Sequence, residues 1–152
     1  AAGFDSILQA ANRHLLPMSD NQFQLYRQTN AVGKQTNTFL DLEVLDISTG
    51  KRRPVGNLSG GESFKASLSL ALGLSDTIAE NRGGIQMDAL FVDEGFGTLD
   101  SKSLEETKDA LLSMSGENKL VGIISHRDEL MDIPQKLRVT KGRGGSQIQM
   151  EL

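Results

Sequence analysis

The chain has no cysteine among its 152 residues, so it carries neither a disulfide framework nor a cysteine-based zinc site, and a reducing compartment is permitted. It lacks any apolar run approaching the roughly 20 residues that span a bilayer, and no charged-then-apolar signal peptide opens it. A cytoplasmic protein with no membrane contact is therefore expected. An excess of positive charge is missing as well. The formal net charge of −4 argues against adhesion of the whole surface to nucleic acid and leaves only local basic patches for that purpose. There is no internal repeat and no low-complexity tail. What is present is an ordinary balance of 38% apolar and 24% charged residues, enough at this length for one domain over 1–152 with a real core.

The spacing of Phe4, Ile7, Leu8, Ala11 and Leu15 predicts an amphipathic helix from Phe4 to Met18, ended near Pro17. Alternating residues predict strands from Phe23 to Arg27 and from Phe39 to Ile47, with the polar stretch Thr29 to Thr38 as a loop between them. Ser48-Thr49-Gly50-Lys51 reads as a turn and Arg52 to Val55 as a short returning strand. Then comes Asn57-Leu58-Ser59-Gly60-Gly61-Glu62-Ser63, directly before a long helix whose stripe is Phe64, Leu68, Ala71, Leu72, Ile78 and Ala79, widened by Leu70 and Leu74. That helix should be largely buried and should end over Asn81 to Gly84.

The second half alternates strand and helix. Ala89-Leu90-Phe91-Val92 predicts a buried strand ending in Asp93-Glu94. Ser101 to Ser115 predicts a helix with Leu104, Leu111 and Leu112 inward and Gly116 as its stop, and Leu120 to Ile124 a second buried strand running into Ser125-His126. A helical turn over Asp128 to Met131 precedes a hairpin of Lys136 to Thr140 with Gln147 to Leu152. Strand, helix and strand in this order imply an α/β fold with parallel strands and crossover helices, plus a β-rich N-terminal part and the C-terminal hairpin. In such a sheet ligands gather at the C-terminal strand ends, where Asp93, Glu94, Ser125 and His126 fall.

These residue types have a shared chemistry. A turn of Ser59, Gly60 and Gly61 opening a helix lets backbone N–H groups approach a phosphate closely. An apolar strand ending in two acids can support magnesium with the first and polarise an attacking water with the second. Asp100, closing the loop Gly95-Phe96-Gly97-Thr98-Leu99-Asp100, can cap the next helix. His126 can hydrogen-bond a terminal phosphate or the attacking water. Each has a bland counterpart: a helix-capping turn, a strand leaving the core, a solvated histidine, and for Phe96 an ordinary core role. The basic sets Lys51, Arg52, Arg53 and Lys136, Arg138, Lys141, Arg143 lack interleaved aromatics and read as a solvated turn and hairpin rather than DNA contacts.

In order, Leu58-Ser59-Gly60-Gly61-Glu62, Ala89 to Glu94, Gly97-Thr98-Leu99-Asp100 and Ile124-Ser125-His126 resemble the signature, Walker B, D-loop and switch-histidine motifs of ATP-binding-cassette ATPases. The wording Asp93-Glu94-Gly95-Phe96-Gly97-Thr98-Leu99-Asp100 resembles the SbcC-type DNA-repair ATPases, the large subunits of an exonuclease. The superfamily's phosphate loop, Gly-x-x-x-x-Gly-Lys-Ser/Thr, has no counterpart: Gly33-Lys34 is followed by Gln35 with Gln28 at the first glycine position, and Gly50-Lys51 fails likewise. The resemblance therefore implies the C-terminal lobe of a split ATPase head, with residues 1–18 as the root of a coiled coil, and an ATP hydrolase inactive as this chain alone. It further implies ATP and Mg²⁺ as cofactors, and as partners the head's own N-terminal lobe, a second copy of the head, an SbcD-type nuclease subunit and DNA. Glu94 and His126 would be catalytic, Asp93 would hold the metal, and Ser59, Gly60, Gly61 and Asp100 would meet nucleotide at the interface between heads. A condensin- or cohesin-type chromosome-organising ATPase and a non-catalytic interaction module of the same fold are the alternatives; a transporter ATPase, with both lobes contiguous, is disfavoured.

Overall fold

The structure, a computed structural model, describes residues 2–28, 42–81, 89–115 and 120–152. Helix α1 runs Ala2–Met18 and leads through a tight turn into a three-stranded antiparallel sheet, β1 (Phe23–Arg27), β2 (Leu42–Asp46) and β3 (Lys51–Pro54). Helix α2 spans Gly60–Asn81. It is followed by β4 (Ala89–Asp93), α3 (Ser101–Met114) and β5 (Leu120–Ile124), then by a hairpin of β6 (Lys136–Gly142) and β7 (Gly145–Glu151). Strands β4 and β5 pair in parallel across the α3 crossover, as the alternation of elements predicts. The expected loop over 29–38, the first residues of the Phe39 to Ile47 strand, and the helix stops at 82–84 and Gly116 lie outside the described residues.

Two apolar clusters hold these parts. Leu8, Ala11 and Leu15 of α1 meet Phe23 and Leu25 of β1, Val44 of β2 and Ala66 of α2. The second cluster joins Met18, Leu68 and Leu72 to Val92, Phe96, Leu99, Leu104, Leu111 and Leu130. Helices α1 and α2 each contribute to both, so the halves are assembled on this helix pair. Asn12 locks α1 to β1 by accepting from the Leu25 N–H at 2.7 Å and donating to the Leu25 carbonyl at 2.9 Å. Pro17 sits inside the last turn of α1, which ends at Met18 as expected, and the helix closes with bonds from the Ser19 N–H to the Leu15 and Leu16 carbonyls.

The buried side of α2 differs from the expected stripe. Ala71 is exposed and Leu74 is 45% exposed, whereas Ser69, Gly73, Ser75 and Thr77 are buried. At Gly73 the backbones of α1 and α2 approach too closely for a side chain: a Cβ there would lie 2.4 Å from the Ala11 nitrogen. Ser69 and Thr77 satisfy their hydroxyls on the helix's own carbonyls of Ala66 and Gly73, both at 2.8 Å, and so enter the interior without an unmet donor.

The strands β4 and β5 are not buried on both faces as their apolar runs suggest. Leu90, Val92, Val121 and Ile123 point to the helices, but Phe91 is 65%, Leu120 59% and Ile124 53% exposed on the other face. The hairpin likewise presents an open apolar face, with Leu137 opposite Met150 and Val139 opposite Ile148. Among the described residues nothing covers these surfaces, because the helices pack on one side of the parallel pair only.

Candidate functional site

In the parallel register Asp93 pairs with Ile124, so the residues that follow each strand emerge side by side. The Glu94 N–H donates to the Ile124 carbonyl at 2.9 Å and fixes the departure of the β4 loop. His126 Nδ1 then lies 3.2 Å from Glu94 Oε1. A carboxylate only accepts, so this contact orients the imidazole with its Nδ1–H toward Glu94 and leaves Nε2 to face outward. Both side chains are solvent-accessible, and Asp93 is exposed beside them.

The backbone at this corner is unusual. Glu94 has φ +55°, a left-handed conformation that a glutamate adopts at a cost of the order of 1–2 kcal/mol. Gly95 follows with φ +91°, and a Cβ there would lie inside the ring of Phe64. Phe64 in turn packs edge-on against the fully buried Phe96, with ring centroids 5.1 Å apart. The expectation of a core role for Phe96 is met, and the role has a consequence: the buried Phe96 and the half-buried Phe64 on it set where the Glu94 turn sits.

Asp100 caps α3, its carboxylate accepting from the Ser103 N–H at 2.8 Å, and that bond is the main cause holding its pKa below the usual carboxylate value. Ser103 Oγ also receives a bond from the buried Lys65 of α2 at 2.8 Å. The loop between Glu94 and Asp100 is thus tied to α2 from below.

Ser59 is the N-cap of α2 in a capping box. Its Oγ accepts from the Glu62 N–H at 3.3 Å, while Glu62 Oε2 accepts from the Ser59 N–H at 2.8 Å. In the first helical turn the Gly60 and Gly61 N–H groups have no acceptor within the helix, and Ser59 Oγ, which accepts from Glu62, still has its O–H to donate. Burial alone would raise the pKa of Glu62; the Ser59 N–H, Arg53 and the Ser59 hydroxyl together outweigh it and hold it low. A Cβ on Gly61 would stand 3.0 Å from the Thr98 carbonyl oxygen, and one on Gly60 3.2 Å from Thr98 Cγ2. The glycine turn and the loop after Glu94 are therefore in contact, with no room between them for larger side chains.

The structure thus brings Glu94 to His126, and the Ser59 turn to the Thr98 loop. Several supporting residues lie outside the candidate site residues. Thr98, within the Gly97 to Asp100 motif, and Phe64 are two. Arg127 chelates Glu129 and reaches the Leu99 carbonyl at 3.5 Å, joining the loops after β4 and β5. Arg53, grouped with Lys51 and Arg52 as a solvated basic set, is instead engaged with Glu62 at 2.8 Å. Arg52 stacks over Tyr26, while Lys136 and Arg138 both pair with Glu151.

A parallel strand pair with helices on one face, acids and a histidine at its C-terminal end and a capped glycine turn beside them make up an α/β lobe. Solved structures share this fold: an SMC head domain from Thermotoga maritima matches 96% of this chain and 47% of its own, with TM-score 0.66 and 18% identity. A chain from work on ATP-driven dimerisation and DNA-stimulated activation of SMC ATPases matches 97% of this chain and 84% of its own, with TM-score 0.72 and 16% identity. The profile of the family described as SbcC/RAD50-like, Walker B motif, matches residues 31–112, and the chain belongs to that family. The SbcC polypeptide of the SbcCD nuclease from Staphylococcus aureus strain JH9 is 46% identical over 136 residues, which are 89% of this chain and 13% of that protein; the strain Newman protein matches equally. The chain therefore spans about an eighth of the length of these relatives. Among the described residues no helix is long and apolar enough to cross a membrane.

Proposed function

We propose that this chain is the C-terminal lobe of the ATP-hydrolysing head of an SbcC-type DNA-repair exonuclease complex, with α1 as the root of the coiled coil. The observation that carries the reading is the Glu94–His126 pair at the strand ends, positioned by a loop that itself touches the Ser59-Gly60-Gly61 turn. The much higher identity to SbcC proteins than to SMC heads favours it over the chromosome-organising alternative.

Glu94 accepts the proton of the attacking water, and His126, held through Nδ1, presents Nε2 toward the terminal phosphate. Ser59 donates its O–H, and Gly60 and Gly61 their N–H groups, to the γ-phosphate of ATP carried by a second head. Asp100 lies at that interface. The described residues contain no cluster of three or more His, Asp or Glu able to enclose a metal. Magnesium nonetheless fits Asp93, because this ion is commonly held by one carboxylate together with waters and phosphate oxygens. When bound, it neutralises charge on the phosphate oxygens.

The phosphate loop is absent from this sequence, so ATP itself is held by the N-terminal lobe. The open faces of β4–β5 and of the β6–β7 hairpin are the surfaces that lobe would cover. An SbcD-type nuclease and DNA complete the assembly. The test is to mix this chain with a lobe bearing Gly-x-x-x-x-Gly-Lys-Ser/Thr from the same protein and measure ATP-dependent dimerisation and hydrolysis. The mixture should show both and this chain alone neither. Failure of both with folded lobes, or robust turnover by the purified chain, refutes the proposal.

A further inference from the structure

We infer that Arg53 is a positioning residue for the Ser59-Gly60-Gly61 turn, setting through Glu62 the direction in which Ser59 offers its hydroxyl to the nucleotide of the opposite head. The inference rests on the proposed function for what the turn binds.

Arg53 lies on β3, opposite Val44, and belongs to a different sheet from the Glu94 corner. Its guanidinium spans the connection into α2. Nη2 donates to Glu62 Oε1 at 2.8 Å, Nη1 donates to the Asn57 carbonyl at 3.2 Å, and the group lies 5.6 Å from the centroid of the Phe23 ring. The two ends of the 57–62 turn are therefore gripped by one planar side chain. Arg53 and Glu62 are 34% and 25% exposed, so the pair is partly shielded from solvent.

The second oxygen of Glu62 holds the Ser59 N–H. With both oxygens engaged, the carboxylate cannot rotate, and the reciprocal bond from the Glu62 N–H to Ser59 Oγ stays aligned. Because that bond occupies an acceptor lone pair of Ser59 Oγ, its proton is kept off the Glu62 N–H and is available to an anion in front of the turn. Without Arg53, Glu62 is free to rotate to solvent, and Ser59 can turn its hydroxyl onto a carbonyl instead, as Ser and Thr side chains do when locally uncommitted. A lysine at 53 would keep the charge near Glu62 but cannot make both bonds at once.

The experiment uses the full-length protein carrying Glu94→Gln, with Arg53→Gln and Arg53→Lys added separately. Three quantities are read: the ATP concentration at half-maximal head dimerisation, binding of ATP to undimerised heads, and the melting temperature. Arg53→Gln should raise the half-maximal ATP concentration on the order of fivefold, as expected for loss of a partly exposed charge-assisted contact. ATP binding to undimerised heads should be unchanged, since the turn acts on the other head's nucleotide, and Arg53→Lys should fall between. Glu62→Gln, which retains an acceptor for the Ser59 N–H, should reproduce the Arg53→Gln shift and supplies the test if that variant folds poorly. An unchanged ATP requirement in both variants, or an equal loss of ATP binding to undimerised heads, overturns the positioning role. If the Glu94→Gln parent itself forms no ATP-dependent dimer, the proposed function fails first, and the two failures are thereby told apart.

Discussion

Replacing Gly73 by alanine sets two effects of opposite sign against each other. In an exposed helix interior alanine is favoured over glycine by about 1 kcal/mol, so helix propensity predicts a more stable protein. At position 73 the added methyl carbon would lie 2.4 Å from the Ala11 nitrogen, 2.7 Å from the Ile7 carbonyl oxygen and 2.8 Å from the Ala11 Cα. All three are backbone atoms of α1 and cannot swing aside. Ordinary contact requires α1 to retreat by about 1 Å, which loosens the packing of Leu8, Ala11 and Leu15 along the whole helix. Overpacking against a rigid wall costs about 3 kcal/mol, so the net expectation is destabilisation by about 2 kcal/mol. Urea unfolding of parent and variant followed by circular dichroism should show the midpoint fall by about 1 M at unchanged slope, taking the usual slope for a domain of this size. A midpoint equal to or above the parent's would refute the close-contact reasoning and leave propensity in control.

Glu94→Gln in the assembled protein should lower ATP turnover by about 10²- to 10⁴-fold while ATP-bound dimers accumulate, because a base acts on the transition state more than on binding; normal turnover by a phosphate-release assay would contradict its role. Phe96→Ala should cost about 3–5 kcal/mol in urea unfolding, since it empties a fully buried site and leaves Phe64 without its partner. Acid titration should reveal Glu62. Its folded pKa is depressed below 4.5, so its contribution is fully present above that value and is lost as pH falls through the folded pKa. The stability difference between parent and Glu62→Gln should accordingly shrink below pH 4.5, and a difference that grows with acidification would reverse the sign of the argument.

Much of the site is local, and local features are readable in one dimension. The Asp100 cap needs only the three-residue spacing to Ser103, and the capping box needs only Ser59 and Glu62 at helix entry, so both follow from short-range geometry. The parallel pairing of β4 and β5 follows from a crossover helix of sufficient length between two apolar runs. What those runs could not disclose is that one face of the pair stays open. A strand's residues state that they are apolar, not which other segment covers them.

The same limit explains α2. Its leucines drew the expected stripe toward Ala71, but the approach of α1 decides which side is crowded, and it selects Gly73, while Ser69 and Thr77 are buried in place of Ala71 and Leu74. Arg53 is the sharpest case, since three adjacent basic residues look alike in sequence and only the path of β3 separates their fates: Arg52 goes to Tyr26 and Arg53 to Glu62. The sequence by itself determined the chemistry on offer: the strand-end acids, the histidine, the capped glycine turn and the missing phosphate loop, because each depends on residues close in the chain. Only the tertiary structure decided that Glu94 faces His126 across 32 positions and that Thr98 closes on the glycine turn, because pairings at that separation are set by how helices and strands pack.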